Sequence, residues 1–144
     1  MSDDSEAVLH DIEWKIIEHG WAVVAVGEGD DSAAFAYTVG LHDKGLPELF
    51  ISALPPSVAQ PVLNDAARRH LETPLVPGEP VFDLIVGYEM VAIEMDDNGP
   101  LYVARALESI DVRALQLVYP DAQRRFPWEE GCALTQQQLY GSRR

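Results

Sequence analysis

The chain has 144 residues, 47% hydrophobic and 24% charged, which is the composition of a folded globular protein and not of a disordered segment. Its 24 Asp and Glu against 10 Lys and Arg leave a formal charge of −14, a field that repels polyanions and argues against nucleic-acid binding through phosphate contacts. The lone Cys132 forms no internal disulfide and no apolar run nears the roughly 20 residues that span a bilayer, so the expectation is one cytoplasmic domain over 1–144, engaging neither nucleic acid nor membrane.

Residues 6–19 read as a helix. Val8, Leu9, Ile12 and Ile16 recur at three- and four-residue spacing, Asp3, Asp4 and Glu6 suit a helix start, and Gly20 offers a left-handed stop. The β-branched run at 21–26 and the run at 35–41 predict a hairpin joined by a polar loop at 27–32, and 49–54 predict a third strand. A second helix follows over 55–71, with Ser57 and Gln60 as a capping box and Pro61 in the first turn. Its apolar face comprises Val58, Val62, Leu63, Ala66 and Leu71. The proline-rich stretch 73–80 is a connection, 81–86 and 88–95 predict strands bent at Gly87, and 96–99 is a turn. A short helix at 100–110 and a last strand at 112–119 complete the elements, and the tail beyond 120 is loop with a short helix at 135–140. Six strands and three main helices without regular βα alternation predict an α+β domain built on a mainly antiparallel sheet.

Charge is unevenly spread. Residues 1–50 carry 11 acids and 2 bases, residues 51–100 carry 8 and 2, and residues 101–144 carry 5 and 6. An acidic face keeps the protein solvated, and an anionic ligand is directed to the last third, with Arg105, Arg113, Arg124, Arg125, Arg143 and Arg144.

Familiar catalytic motifs are absent. The glycines at 27–31 sit among acids where a phosphate cradle needs bare amides and a lysine, and 96–99 lacks the later glutamate of a calcium loop. Histidines 10, 19, 42 and 70 have no ligand spacing, so no metal site is expected, and Cys132 reads as a passive small residue. Two segments stand out. In 35–42, Gly40 within a strand marks close approach of a backbone or a ligand, Tyr37 offers an aromatic face and a hydroxyl, Thr38 a hydroxyl and His42 an imidazole. In 119–129, prolines bracket aromatics to make a stiff arm, Asp121 can pair with Arg125, and Arg125 and Trp128 can face a ligand. Tyr37, Thr38, Gly40, His42, Arg125 and Trp128 are thus expected to wall one hollow. The plainer reading is a packed strand with Tyr37 at its rim and Phe126 and Trp128 sealing the core.

The segments at 20–23, 35–41 and 47–49, the helix after Leu54, and the segments at 116–121 and 125–129 occur in an order that resembles the bacterial domain-of-unknown-function family 4262. The resemblance covers about residues 8–131 and leaves 132–144 as a C-terminal tail. It departs from the family's pattern at Tyr119, where a Trp is expected, and at Arg124, where a Gly is expected. It implies one domain and no particular activity. The element order is also similar, at fold level, to the split β-barrel of flavin-binding reductases and oxidases, which pair as dimers with ligand sites at the seam. The leading expectation is a non-catalytic or accessory module that binds a small ligand or a protein partner. Two others stand beside it: a flavin-dependent split-barrel enzyme whose cofactor phosphate is held by the C-terminal arginines across a homodimer seam, and an acidic immunity-like or antitoxin-like partner of a basic protein.

Overall fold

The computed structural model describes residues 3–27, 33–133 and 137–141. Along the chain come α1 (Asp3–His19), β1 (Ala22–Val26), β2 (Phe35–Val39), a 3-10 turn at His42–Lys44, β3 (Glu48–Ser52), α2 (Pro56–Glu72), β4 (Pro80–Phe82), β5 (Glu89–Glu94), α3 (Tyr102–Leu107) and β6 (Ala114–Val118). The strands form one sheet in the order β1-β2-β3-β6-β5-β4. Only β3 and β6 run parallel, with Phe50 opposite Gln116; the other neighbours are antiparallel, with Val24 opposite Tyr37 and Tyr37 opposite Phe50. The α+β, mainly antiparallel expectation therefore holds. The barrel-like closure does not form, because β1 and β4 are left as the two edges of an open, mixed sheet.

The two-residue period of the strands divides the core between the faces of the sheet. Leu49 and Ile51 of β3, with Leu115 and Leu117 of β6, pack with Ala59, Val62, Leu63, Ala66 and Ala67 of α2. Phe50, Tyr37 and Val39 belong to the opposite cluster, which Ile12 of α1 and Ala104 of α3 close. Leu63 is fully buried, a side chain worth about 1.5–3 kcal/mol in apolar transfer.

Several local expectations are corrected. The N-cap of α2 is Pro55, with no side-chain cap, and Ser57 lies within the helix, so the Ser57–Gln60 box is not formed. Pro56 at the first helical position has no N–H to cap. Pro61 sits inside α2 beyond its first turn, and Val58 and Leu71 flank the buried face, which instead includes Ala59, Ala67 and His70. Val8 is an exposed member of the α1 stripe, while Ile12 is buried. The strand expected to reach residue 86 stops at Phe82, where Asp83 turns the chain with φ +62°, and Leu84 and Ile85 fold back onto the α2-side core. Of the loop expected at 27–32, residues 28–32 lie outside the described residues, as do Thr135 and Gln136 of the helix expected at 135–140. Residues 137–140 are non-helical, and Gly141 bridges to Met95. Glutamine carboxamides do the tail's pairing: Gln137 Nε2 donates to Tyr119 O at 2.8 Å while Tyr119 N donates to Gln137 Oε1 at 3.0 Å. Gln116 likewise donates to Gln138 O and accepts from Tyr140 N.

Candidate functional site

β3 opens with a fully buried acid, Glu48. Its Oε1 accepts from Thr38 Oγ1 at 2.7 Å and Leu41 N at 3.3 Å, and its Oε2 accepts from Gly40 N and His42 N, both at 3.0 Å. A buried carboxylate costs several kcal/mol unless its oxygens are satisfied, and charge-assisted bonds of roughly 1.5–3 kcal/mol each offset that cost. Thr38 Oγ1 in turn accepts from Leu49 N at 2.8 Å. The tight curl of residues 40–42 around the carboxylate requires glycine at its start. Gly40 has φ +118°, and a Cβ there would lie 2.9 Å from Gly20 O and 3.0 Å from the Trp21 Cα. The close approach expected at Gly40 is thus made by backbone.

A second acid reaches the same turn. Glu108, just past α3, has Oε2 3.3 Å from Gly40 N, and its Oε1 is buried with no donor in reach among the described residues. Burial first, then the hydrogen bond and charge of Glu48, then the charge of Asp43, push its carboxyl up to about 9. Two carboxyls in one site do not readily both ionise, so Glu108 is driven to keep its proton near neutrality. The Glu48 side is closed to solvent, so the pair acts as an internal tie between β2, β3 and the end of α3. His70 of α2 is also fully buried: Nδ1 accepts from Leu75 N at 2.8 Å, which leaves Nε2 to donate to Pro47 O at 3.2 Å. Burial lowers its pKa, and the hydrogen bond to Pro47 and the charge of Glu48 act in the opposite sense.

Thr38, Gly40 and His42 are brought together here, on the Glu48 carboxylate, through one hydroxyl and two backbone N–H groups. Tyr37 is not among them, its ring lying in the cluster closed by α1 and α3. Tyr37 is 1% exposed, and its hydroxyl accepts from Val103 N at 2.9 Å. His42 is half-buried and supplies its backbone N–H. Arg125 and Trp128 lie elsewhere. The arm that carries them leaves β6 beside the far end of β3, where Tyr119 Oη donates to Ser52 O at 2.9 Å and Ala53 O at 3.0 Å. The strand register sets Gly40 at the opposite, Glu48 end. The single hollow expected between Gly40 and Trp128 is therefore not formed.

Within the arm, buried Asp121 accepts from Ala133 N, Arg125 N and Gln123 N, each at 2.9 Å, and pairs with Arg125 Nε at 3.4 Å. The backbone N–H groups of Ala133 and Arg125 hold its carboxyl below the usual range. Phe126 and Trp128 stack with centroids 5.0 Å apart. Arg124 adopts φ +65°, so the tight turn for which a glycine is expected is made here with an arginine. Arg113, another expected anion-facing cation, pairs with Glu94 at 2.8 Å.

An open concavity among the described residues lies where only a connection is expected. A groove of about 530 Å³ runs between the end of α2, the 73–79 connection and β4, lined by Arg69, Thr73, Leu75, Val76, Pro80 and Phe82. Val76 is 51% and Phe82 57% exposed, and Glu72 and Glu79 add carboxylates to the lining. Arg69 fixes one wall by donating to Asp65 Oδ2 at 2.9 Å and to Phe82 O. The sequence signal was two large apolar residues, Val76 and Phe82, flanking a run rich in proline and glycine. Among the described residues, no cluster of three or more His, Cys, Asp or Glu is arranged to hold a metal ion, and no helix is long and apolar enough to cross a membrane.

No curated protein and no solved structure matches the chain. The model of the family described as a domain of unknown function, DUF4262, matches residues 15–133, and that span places the chain in the DUF4262 family.

Proposed function

We propose that the chain is a non-catalytic binding module whose partner is a protein segment of basic and apolar character, seated in the groove between the end of α2 and β4. The observation that carries this reading is the groove itself, with Val76 and Phe82 exposed at it. Its volume falls within the range of ordinary ligand sites. Val86, on the turn after β4, is a further exposed apolar side chain at 88%, and exposed apolar surface of this kind favours a polypeptide over a small molecule. Glu72 and Glu79 in the lining, on a chain of charge −14, favour a cationic occupant. The hydroxyls of Tyr37 and Thr38 on β2 are engaged with the protein's own groups, which supports a binding role over catalysis there.

Random-peptide display against the immobilised protein, counter-screened on Phe82→Glu and Val76→Glu, tests the proposal. The expected peptides combine Lys or Arg with apolar residues and lose at least about tenfold in affinity on either variant, a change of about 1.4 kcal/mol. Failure to select peptides, or peptides bound equally by wild type and both variants, would overturn it.

A further inference from the structure

The two edges of the sheet are finished in opposite ways. At β4, Pro80 has no N–H to offer, and the Arg69 guanidinium donates to Phe82 O and, at 3.4 Å, to Asp83 O. Proline and a covering cation are devices that keep a sheet edge from pairing. β1 carries neither. Its sequence is Ala-Val-Val-Ala-Val, and among the described residues it pairs on one side only, with β2. An uncharged, β-branched strand whose outer edge meets no other strand among the described residues is a template for another strand.

We infer that the strand that pairs with β1 is β1 of a second copy of this chain, in antiparallel register about a two-fold axis near Val24. Antiparallel pairing of a strand with itself is self-complementary, so each copy offers the other the same donors and acceptors. Charge points to this edge in particular. Two copies at −14 repel each other over most of their surface, and β1 brings five residues to the contact with no carboxylate among them. Ile12 of α1 packs with Ala22, and the same helix carries Trp14 and Ile17, 62% and 74% exposed. An edge of five residues buries less than the roughly 1,200–2,000 Å² of stable interfaces, so the dimer is weak and its population depends on concentration. Screening the mutual repulsion strengthens it, the reverse of an ionic contact.

Sedimentation velocity on the full chain from about 5 to about 500 µM, at about 0.05 and about 0.5 M salt, tests this together with amide hydrogen exchange over the same concentrations. A dimer that tightens with salt, with concentration-dependent protection at 22–26, is expected, and Val24→Lys with an unchanged circular dichroism spectrum is monomeric. If Val24→Lys does not fold, the exchange pattern of the wild type decides. A wild-type monomer at the highest concentration overturns the inference. So does a dimer that weakens with salt, or one whose protection falls on the groove at 69–82 or on α1 instead of β1.

Discussion

Glu48 and Glu108 share one donor: the Gly40 N–H lies 3.0 Å from an oxygen of the first and 3.3 Å from an oxygen of the second. The first residue of β3 and the residue that ends α3, sixty positions apart, thus close on the turn after β2. The two carboxyls tolerate this because Glu108 holds a proton that water would have removed.

That proton makes stability depend on pH. Glu108 titrates at about 9 in the folded chain against an ordinary 4.5, so the native state keeps a proton that the unfolded state loses. Its contribution is fully present below 4.5 and is lost as pH rises toward 9, with a slope no steeper than about 1.4 kcal/mol per pH unit. His70 has the opposite sense: burial lowers its pKa, so its contribution is present above its ordinary 6.5 and is lost as pH falls through the folded value. Glu108→Gln should flatten the alkaline limb and leave the acid limb unchanged. Urea unfolding between about pH 5 and about pH 9 measures both limbs, and identical alkaline slopes in the two proteins would count against a proton retained by Glu108.

Two positions with positive φ should respond in opposite ways. Gly40→Ala sets a Cβ against the backbone of Gly20 and Trp21, which leaves no flexible side chain to give way. A loss of at least about 3 kcal/mol is expected. Arg124→Gly relieves a left-handed residue at a cost in unfolded-state freedom, so it should be neutral or stabilising by up to about 1 kcal/mol. Thermal or urea unfolding of the two variants checks the contrast. A Gly40→Ala protein as stable as wild type would mean that the turn is not pinned by its neighbours.

Much of the fold was legible because local patterns carry it. The β-branched run before Gly27 and the alternation around Tyr37 specify a hairpin without help from the rest of the chain. Ser57 misled because Pro55 and Pro56 already supply a start that needs no side-chain cap. The site was harder to read. Thr38 and Gly40 stood out by composition, but their partner Glu48 sits in Pro47-Glu48-Leu49 and reads as the polar lip of a strand. Only the three-dimensional turn shows four donors converging on it. The separation of Gly40 from Trp128 depends on β3 and β6 running parallel, a long-range register that no local pattern encodes. The groove escaped because the 73–79 connection and β4 acquire a shared concavity only when α2 packs beside them.

The most direct measurement pairs two variants on one assay: unfolding free energy and affinity for a display-selected peptide, for Thr38→Val and for Phe82→Glu. Thr38→Val removes a donor to Glu48 and an acceptor for Leu49, so it should cost about 1–3 kcal/mol of stability and leave affinity within about twofold. Phe82→Glu alters a side chain 57% exposed, so it should leave stability within about 0.5 kcal/mol and weaken binding at least about tenfold. A folded Thr38→Val that no longer binds, beside a Phe82→Glu that binds like wild type, would contradict a groove-based module and move the function to the Glu48 end of the sheet.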